Sequence, residues 1–252
     1  MYEIKNFIGE LNGKLNKREK FLVLDVEGYS TARPYNIGYI VADKYGTIYV
    51  KRSIALPSCF WENIESMLRT KQAEEMTKRN IEEILKDVDN KRTKRKYKSI
   101  AISEFFALFE RDISLFNIKK MFSYNITFDK SALSRLYGDN FTKLNLEFCD
   151  IITAILDTKL LTKKYINWCI ENGYISEKGN VLTKAEVVYR YLSNDLTFIE
   201  EHTGLSDCMI EYEILLTAFE THKKLNFKPC QAWRVLKKFA TENGITIPIP
   251  TV

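Results

Sequence analysis

Phe21-Leu22-Val23-Leu24-Asp25-Val26-Glu27 is the stretch on which the reading of this chain turns. Its four leading apolar residues, rich in strand formers, predict a buried β-strand rather than a turn of helix. Side chains alternate across a strand, so Asp25 and Glu27 point to one face at its end. Two carboxylates fixed side by side at the border of an apolar core repel each other and lose hydration, and a divalent cation relieves both penalties. Hard oxygen donors of this kind suit magnesium or manganese. Taken alone, a D-x-E pair is more often a strand end whose acids reach water.

Downstream, residues 36–42 and 47–53 flank Asp43-Lys44-Tyr45-Gly46, a hairpin turn, which gives three antiparallel strands early in the chain. Residues 61–88 read as a long helical region, and residues 102–116 as a helix leading to a strand at Lys120-Met121-Phe122-Ser123-Tyr124. Asn125-Ile126-Thr127-Phe128-Asp129 would then fill the turn before a helix that includes 131–136. An acid beside a helix N-terminus is also stabilised by the macrodipole and the free N–H groups, so Asp129 by itself is equally a cap. A short strand at 146–149 follows, then helices around 165–172 and from Lys184, where Thr183 and Glu186 are spaced as a capping box.

The most informative segment is the last. On a helical wheel Leu205, Met209, Tyr212, Leu216 and Phe219 form one stripe; Ile210, Ile214 and Ala218 lie on the other side with Asp207 among them; Glu213, Thr217 and Glu220 are the polar face. Asp207 therefore projects from a side expected to be buried, where a carboxylate needs a metal or a cation. His202 precedes this helix, separated from it by a capping residue and a breaker, Thr203-Gly204. The chain's other histidine, His222, reads as a surface residue near the helix end.

In this order, a D-x-E at the end of the first strand, an N-x-x-F-D after a later one and an H-x-x-x-x-D opening a C-terminal helix resemble the DEDDh exonucleases. That superfamily includes the proofreading subunit of bacterial DNA polymerase III, RNase T and oligoribonuclease, and the resemblance runs from about residue 21 to 225. It implies an α/β, RNase H-like mixed sheet, three antiparallel strands followed by parallel ones, flanked by helices. It further implies two Mg2+ or Mn2+ ions held by Asp25, Glu27, Asp129 and Asp207, with His202 as general base and Gly28, Tyr29, Asn125 and Phe128 contacting substrate. Such a site hydrolyses the phosphodiester at the 3′ end of single-stranded nucleic acid and releases nucleoside 5′-monophosphates. Imidazole suits the base role because its ordinary pKa of about 6.5 lies near working pH. The chain departs from the family where T-T-G often follows the first motif and here reads Gly28-Tyr29-Ser30, and where Tyr124 and Ile126 flank Asn125 in place of His and Ala. These departures bear on the substrate more than on the chemistry. DNA is slightly favoured; an RNA-trimming exoribonuclease and a non-catalytic nucleic-acid-binding protein are the alternatives.

Composition fits this expectation. A chain of 252 residues with 45% hydrophobic content suffices for one exonuclease domain spanning 1–252, with a basic helical insertion around 61–100 and a C-terminal extension over 226–252. The net charge of +5 is mild, so attraction for nucleic acid has to be local. Lys91-Arg92-Thr93-Lys94-Arg95-Lys96-Tyr97-Lys98, six cations in eight residues, is either a solvated loop or an arm that tracks phosphates. Five scattered cysteines without C-x-x-C spacing favour reduced thiols over a zinc site. No apolar run is long enough for a bilayer and no secretory pattern opens the chain, which predicts a soluble, cytoplasmic protein without a membrane partner.

Overall fold

A computed structural model describes residues 18–28, 34–56, 98–99, 101–222 and 224–250. The stretch around Asp25 forms β1 (Phe21–Gly28), the third-from-edge strand of a six-stranded mixed sheet. It pairs antiparallel with β2 (Pro34–Ala42), which pairs antiparallel with β3 (Ile48–Ala55). On its other side β1 runs parallel to β5 (Lys120–Ser123), and β5 runs parallel to β6 (Glu147–Asp150). A two-residue strand, β4 (Lys98–Ser99), adds in parallel to β3, making the order β4-β3-β2-β1-β5-β6. Three antiparallel strands followed by parallel ones match the expected pattern, whereas nothing in the sequence had marked β4.

The predicted hairpin forms because Asp43 organises it. Its Oδ1 accepts from the Tyr45 and Thr47 amides, and its Oδ2 accepts from the Tyr49 hydroxyl. Such Asx bonding satisfies amides that the tight turn leaves unpaired.

Strand alternation builds two cores. On one face, Leu22, Leu24, Val26, Ile37, Tyr39 and Val41 pack under α1 (Ile102–Leu115) and α2 (Ile126–Tyr137). A buried polar lock fixes α1 there. Tyr39 Oη donates to Asp112 Oδ2 at 3.0 Å, and Arg52 and Arg111 both pair with the same carboxylate. On the other face, Phe21, Val23, Ile40 and Phe122 pack under α3 (Ile151–Asp157), α4 (Lys163–Glu171), α5 (Ala185–Ser193), α6 (Gly204–Thr221) and α7 (Ala232–Glu242). The result is a mixed sheet with helices on both sides.

Two expectations need correction. Residues 125–129 are not all turn: α2 starts at Ile126, so Asp129 lies in its first helical turn. Thr183 and Glu186 form no capping box, because Lys184 is the N-cap and makes no side-chain cap, while Glu186 pairs with Arg190 instead. On α6 the side carrying Asp207, Ile210, Ile214 and Ala218 is buried as expected, and Glu211, Tyr212 and Leu215 are buried as well, since the helix is enclosed by β1, β2, α3 and α5. The predicted helix over 61–88, the bulk of the basic run at 91–98, Cys59 and Tyr29 lie outside the described residues. Among the described residues, no helix is long and apolar enough to cross a membrane.

Candidate active site

The residues singled out in the sequence converge where β1 and β5 end. Both strands point their C-terminal ends the same way, and β1 is where the chain's pairing passes from antiparallel to parallel neighbours. A crevice beyond the carboxyl ends of parallel strands is where open α/β sheets place ligands. Asp25 and Glu27 stand there on the face covered by α6, the side chains continuing the Phe21 and Val23 alternation. Asp129 reaches the same end from α2 and is 3% exposed; its Oδ1 accepts from the Val26 amide at 2.9 Å and its Oδ2 from the Ser123 hydroxyl.

Docking of α6 brings in His202 and Asp207. Here two glycines matter for a reason the sequence did not announce. A Cβ built on Gly38 would lie 1.9 Å from the Gly204 carbonyl carbon, so backbone meets backbone at this point. Asn36 completes the clasp: its Oδ1 accepts from the Gly204 amide at 2.9 Å while its Nδ2 donates to the Ile54 carbonyl. Asn36 lies directly across from Glu27 in the β1–β2 register. The clasp therefore sets α6 against the acidic end of β1.

Glu27, His202 and Asp207 offer ligand atoms that all lie within 4.8 Å of one another, a group that could hold a metal ion. His202 sits in the left-handed region at φ 53°, unusual outside glycine, and its Nδ1 lies 3.5 Å from Glu200 Oε2. Asp25 and Asp129 adjoin this group and are felt electrostatically, without sharing its tight donor set. Asn125 is exposed and Phe128 half-buried at the start of α2, and Gly28 is half-buried at the end of β1. Asp150, at the end of β6, is an acid with an ordinary role: it caps α3 through the Thr153 amide and hydroxyl and holds the Ile126 amide.

Two acids that sequence reading passed over belong to the site. Glu211 is 3% exposed, one helical turn beyond Asp207 and on the same face of α6. The i,i+4 spacing from Asp207 was the available signal, obscured by the apolar residues around it. Glu200 has no such signature; only the chain's path before α6 brings it to His202.

The acids share one electrostatic problem. Burial raises the Asp25 carboxyl well above its ordinary value, and the charges of Glu27, Glu211, Asp129 and Asp207 push the same way. Burial likewise raises Glu27, and the neighbouring charge of Asp207 pushes the same way. Glu211 is raised by burial and then by Asp129 and Asp207. Burial lifts Asp129 to about 7 against the opposing bonds from Ser123 and Val26, and lifts Glu200 to about 8 with help from Asp207. Among the described residues, Asp25 Oδ2 and Glu211 Oε2 are buried with no hydrogen-bond partner. Partnerless carboxylate oxygens beside a Glu–His–Asp donor set are what a divalent cation satisfies.

A pH dependence follows. The folded form holds protons that the unfolded chain releases near pH 4, so this stability is full below that value and is lost as pH rises through about 7 and about 8, the folded values of Asp129 and Glu200. In EDTA the thermal midpoint is expected to fall between about pH 5.5 and about pH 8.5, and Glu211→Gln to flatten the fall. Magnesium or manganese should restore the midpoint most at the alkaline end, where the acids are ionised. A midpoint that stays level or climbs in EDTA over this interval would contradict the assignment.

Comparison with models of known protein families finds no match, and comparison with curated proteins finds none either.

Proposed function

We propose that the protein is a metal-dependent 3′-to-5′ exonuclease of the DEDDh type on an RNase H-like fold, acting on single-stranded nucleic acid with DNA slightly favoured. The observation that carries this reading is convergence. Three sequence motifs far apart in the chain deliver Asp25 and Glu27, Asp129, and His202 with Asp207 to one end of β1, where two buried carboxylate oxygens have no partner.

Glu27 and Asp207, with Asp25 and Asp129 beside them, would hold the divalent ions; Glu211 adds a further negative charge. When bound, such ions supply Lewis acidity toward the phosphate and neutralise the charge that develops on the leaving oxygen. The chain's own residues do the rest. With Nδ1 turned to Glu200, His202 presents Nε2 to accept a proton from the attacking water. The water oxygen bonds to phosphorus, the bond from phosphorus to the 3′ oxygen of the preceding nucleotide breaks, and a nucleoside 5′-monophosphate leaves. Asn125, exposed at the start of α2, the half-buried Phe128 and Gly28 at the end of β1 would contact the terminal nucleotide.

Labelled single-stranded DNA and RNA, each with one end blocked, test the reading in magnesium and in manganese. Stepwise shortening that a blocked 3′ end prevents is the expected result. The faster polymer decides between deoxyribonuclease and RNA trimming. Absence of cleavage on every substrate in both metals would leave only a nucleic-acid-binding protein and overturn the proposal.

A further inference from the structure

Beside the active site, a cleft of about 770 Å3 runs between the β5–α2 junction, the residue 176–184 segment and the start of α7. Tyr124, Asn125 and Thr127 line it where β5 passes into the first turn of α2, the turn that also carries Asp129. The buried Tyr124 phenol feels the charges of Glu211 and Glu200. Lys184, on the opposite wall, acts electrostatically on Glu200, which faces His202. The cleft thus adjoins the end of the sheet where the acids gather.

We infer that this cleft carries the upstream part of a single-stranded nucleic acid whose 3′ terminus lies at the acids, with phosphates against Lys178 and Lys184 and a base stacked on Trp233. The inference rests on the exonuclease reading and extends it to a binding site that the motifs do not include.

The lining is selective in its chemistry. Lys178 and Lys184 are exposed cations on one wall, and Lys237, which reaches Asn180 at 3.5 Å, adds a third nearby. The single acid in the lining, Asp150, is engaged with the Thr153 and Ile126 amides. Trp233 is 37% exposed at the mouth, with the Arg234 guanidinium 5.1 Å from its ring centroid. A large aromatic ring left in water beside lysines is the pairing that single-strand binders use, because every base has a face to stack and every phosphate a charge to meet. Asn125, Asn180 and Gln231 supply polar groups without adding charge. A duplex is a poor occupant, since its paired bases cannot stack on Trp233.

The test measures binding by fluorescence anisotropy in the cleavage-impaired Asp25→Asn protein with magnesium, using DNA single strands of about 4 and about 12 nucleotides, the span of sites on such surfaces. The longer strand is expected to bind more tightly. Trp233→Ala should weaken it about 5- to 150-fold, the equivalent of one stacked base, and Lys178→Glu with Lys184→Glu should weaken it and lower its salt dependence. The short strand should lose far less, and thermal midpoints should stay unchanged. Equal affinity for both lengths, or folded variants that bind the longer strand as well as their parent, overturns the cleft assignment while leaving cleavage by the wild type intact. If the wild type cleaves nothing and the parent binds neither strand, both proposals fall together.

Discussion

Asp25→Asn is expected to move two measurements in opposite directions. Cleavage should fall by more than about 100-fold, the upper end of what losing a mere supporting partner of a metal site costs. Thermal stability in EDTA near neutral pH should rise, because a neutral amide has no ionised form to keep out of this buried, acid-lined position. The reason for both is the same. Asp25 Oδ2 is buried without a partner and its carboxyl is raised by burial and by the charges of Glu27, Glu211, Asp129 and Asp207. An amide of the same shape removes one of these repelling charges, and with it a ligand. His202→Ala is the necessary comparison: it should slow cleavage by about 10²–10⁴-fold, as expected for a general base, without the gain in stability. Manganese titration by calorimetry separates the two variants, since Asp25→Asn should lose affinity more than His202→Ala. An Asp25→Asn protein that cleaves at the wild-type rate would remove Asp25 from the chemistry.

Gly38→Ala is expected to damage the protein more than a methyl group added at any other described glycine. The added carbon would meet the Gly204 carbonyl carbon at 1.9 Å and the Leu205 amide nitrogen at 2.1 Å. Backbone cannot swing aside as a side chain can, so α6 has to lift from the sheet. Overpacking of this kind costs about 3 kcal/mol, at the upper end of the usual range. For a protein of this size that lowers the melting midpoint by roughly 6–12 °C. Activity should fall further than stability, because His202 and Asp207 move with α6 while Asp25 and Glu27 stay on β1. Gly204→Ala probes the same contact from the other side, where its Cβ would lie 2.5 Å from the Gly38 amide nitrogen and 3.0 Å from the Asp25 carbonyl oxygen. If Gly38→Ala melts and cleaves like the wild type, the clasp does not set the site.

How far these features were legible depended on whether the signal was local. The Phe21 strand, the Asp43 hairpin and the helix expected over 102–116 follow from local composition and turn chemistry, and they are present, the helix as Ile102–Leu115. The acids and histidine of the three motifs do meet at one end of β1. What local pattern could not show was contact. Gly38 reads as an ordinary glycine within a strand and Gly204 as a helix breaker, and their meaning lies only in each other. Glu211 was hidden because α6 is buried nearly all round, so the polar residue within its apolar side did not stand out on a wheel. Asp129 was placed on a turn because helix boundaries are set by backbone bonding that begins at Ile126, earlier than side-chain spacing suggests. Lys184 takes the cap position and Glu186 pairs with Arg190 one turn on, an i,i+4 partner within the helix that competes with the capping-box spacing from Thr183.

The clasp between β2 and α6 has a further consequence, for the order in which the protein comes into being. Asp25 and Glu27 belong to the first described strand, but Asn36 and Gly38 cannot close on α6 until the segment that carries Gly204 has been synthesised. Contacts of such long sequence separation form late in folding, after hairpins and local helices. A nascent or half-folded chain thus displays its acidic strand end without the histidine and without Asp207. On the exonuclease proposal, the complete set of reacting groups exists only once α6 has closed on the sheet.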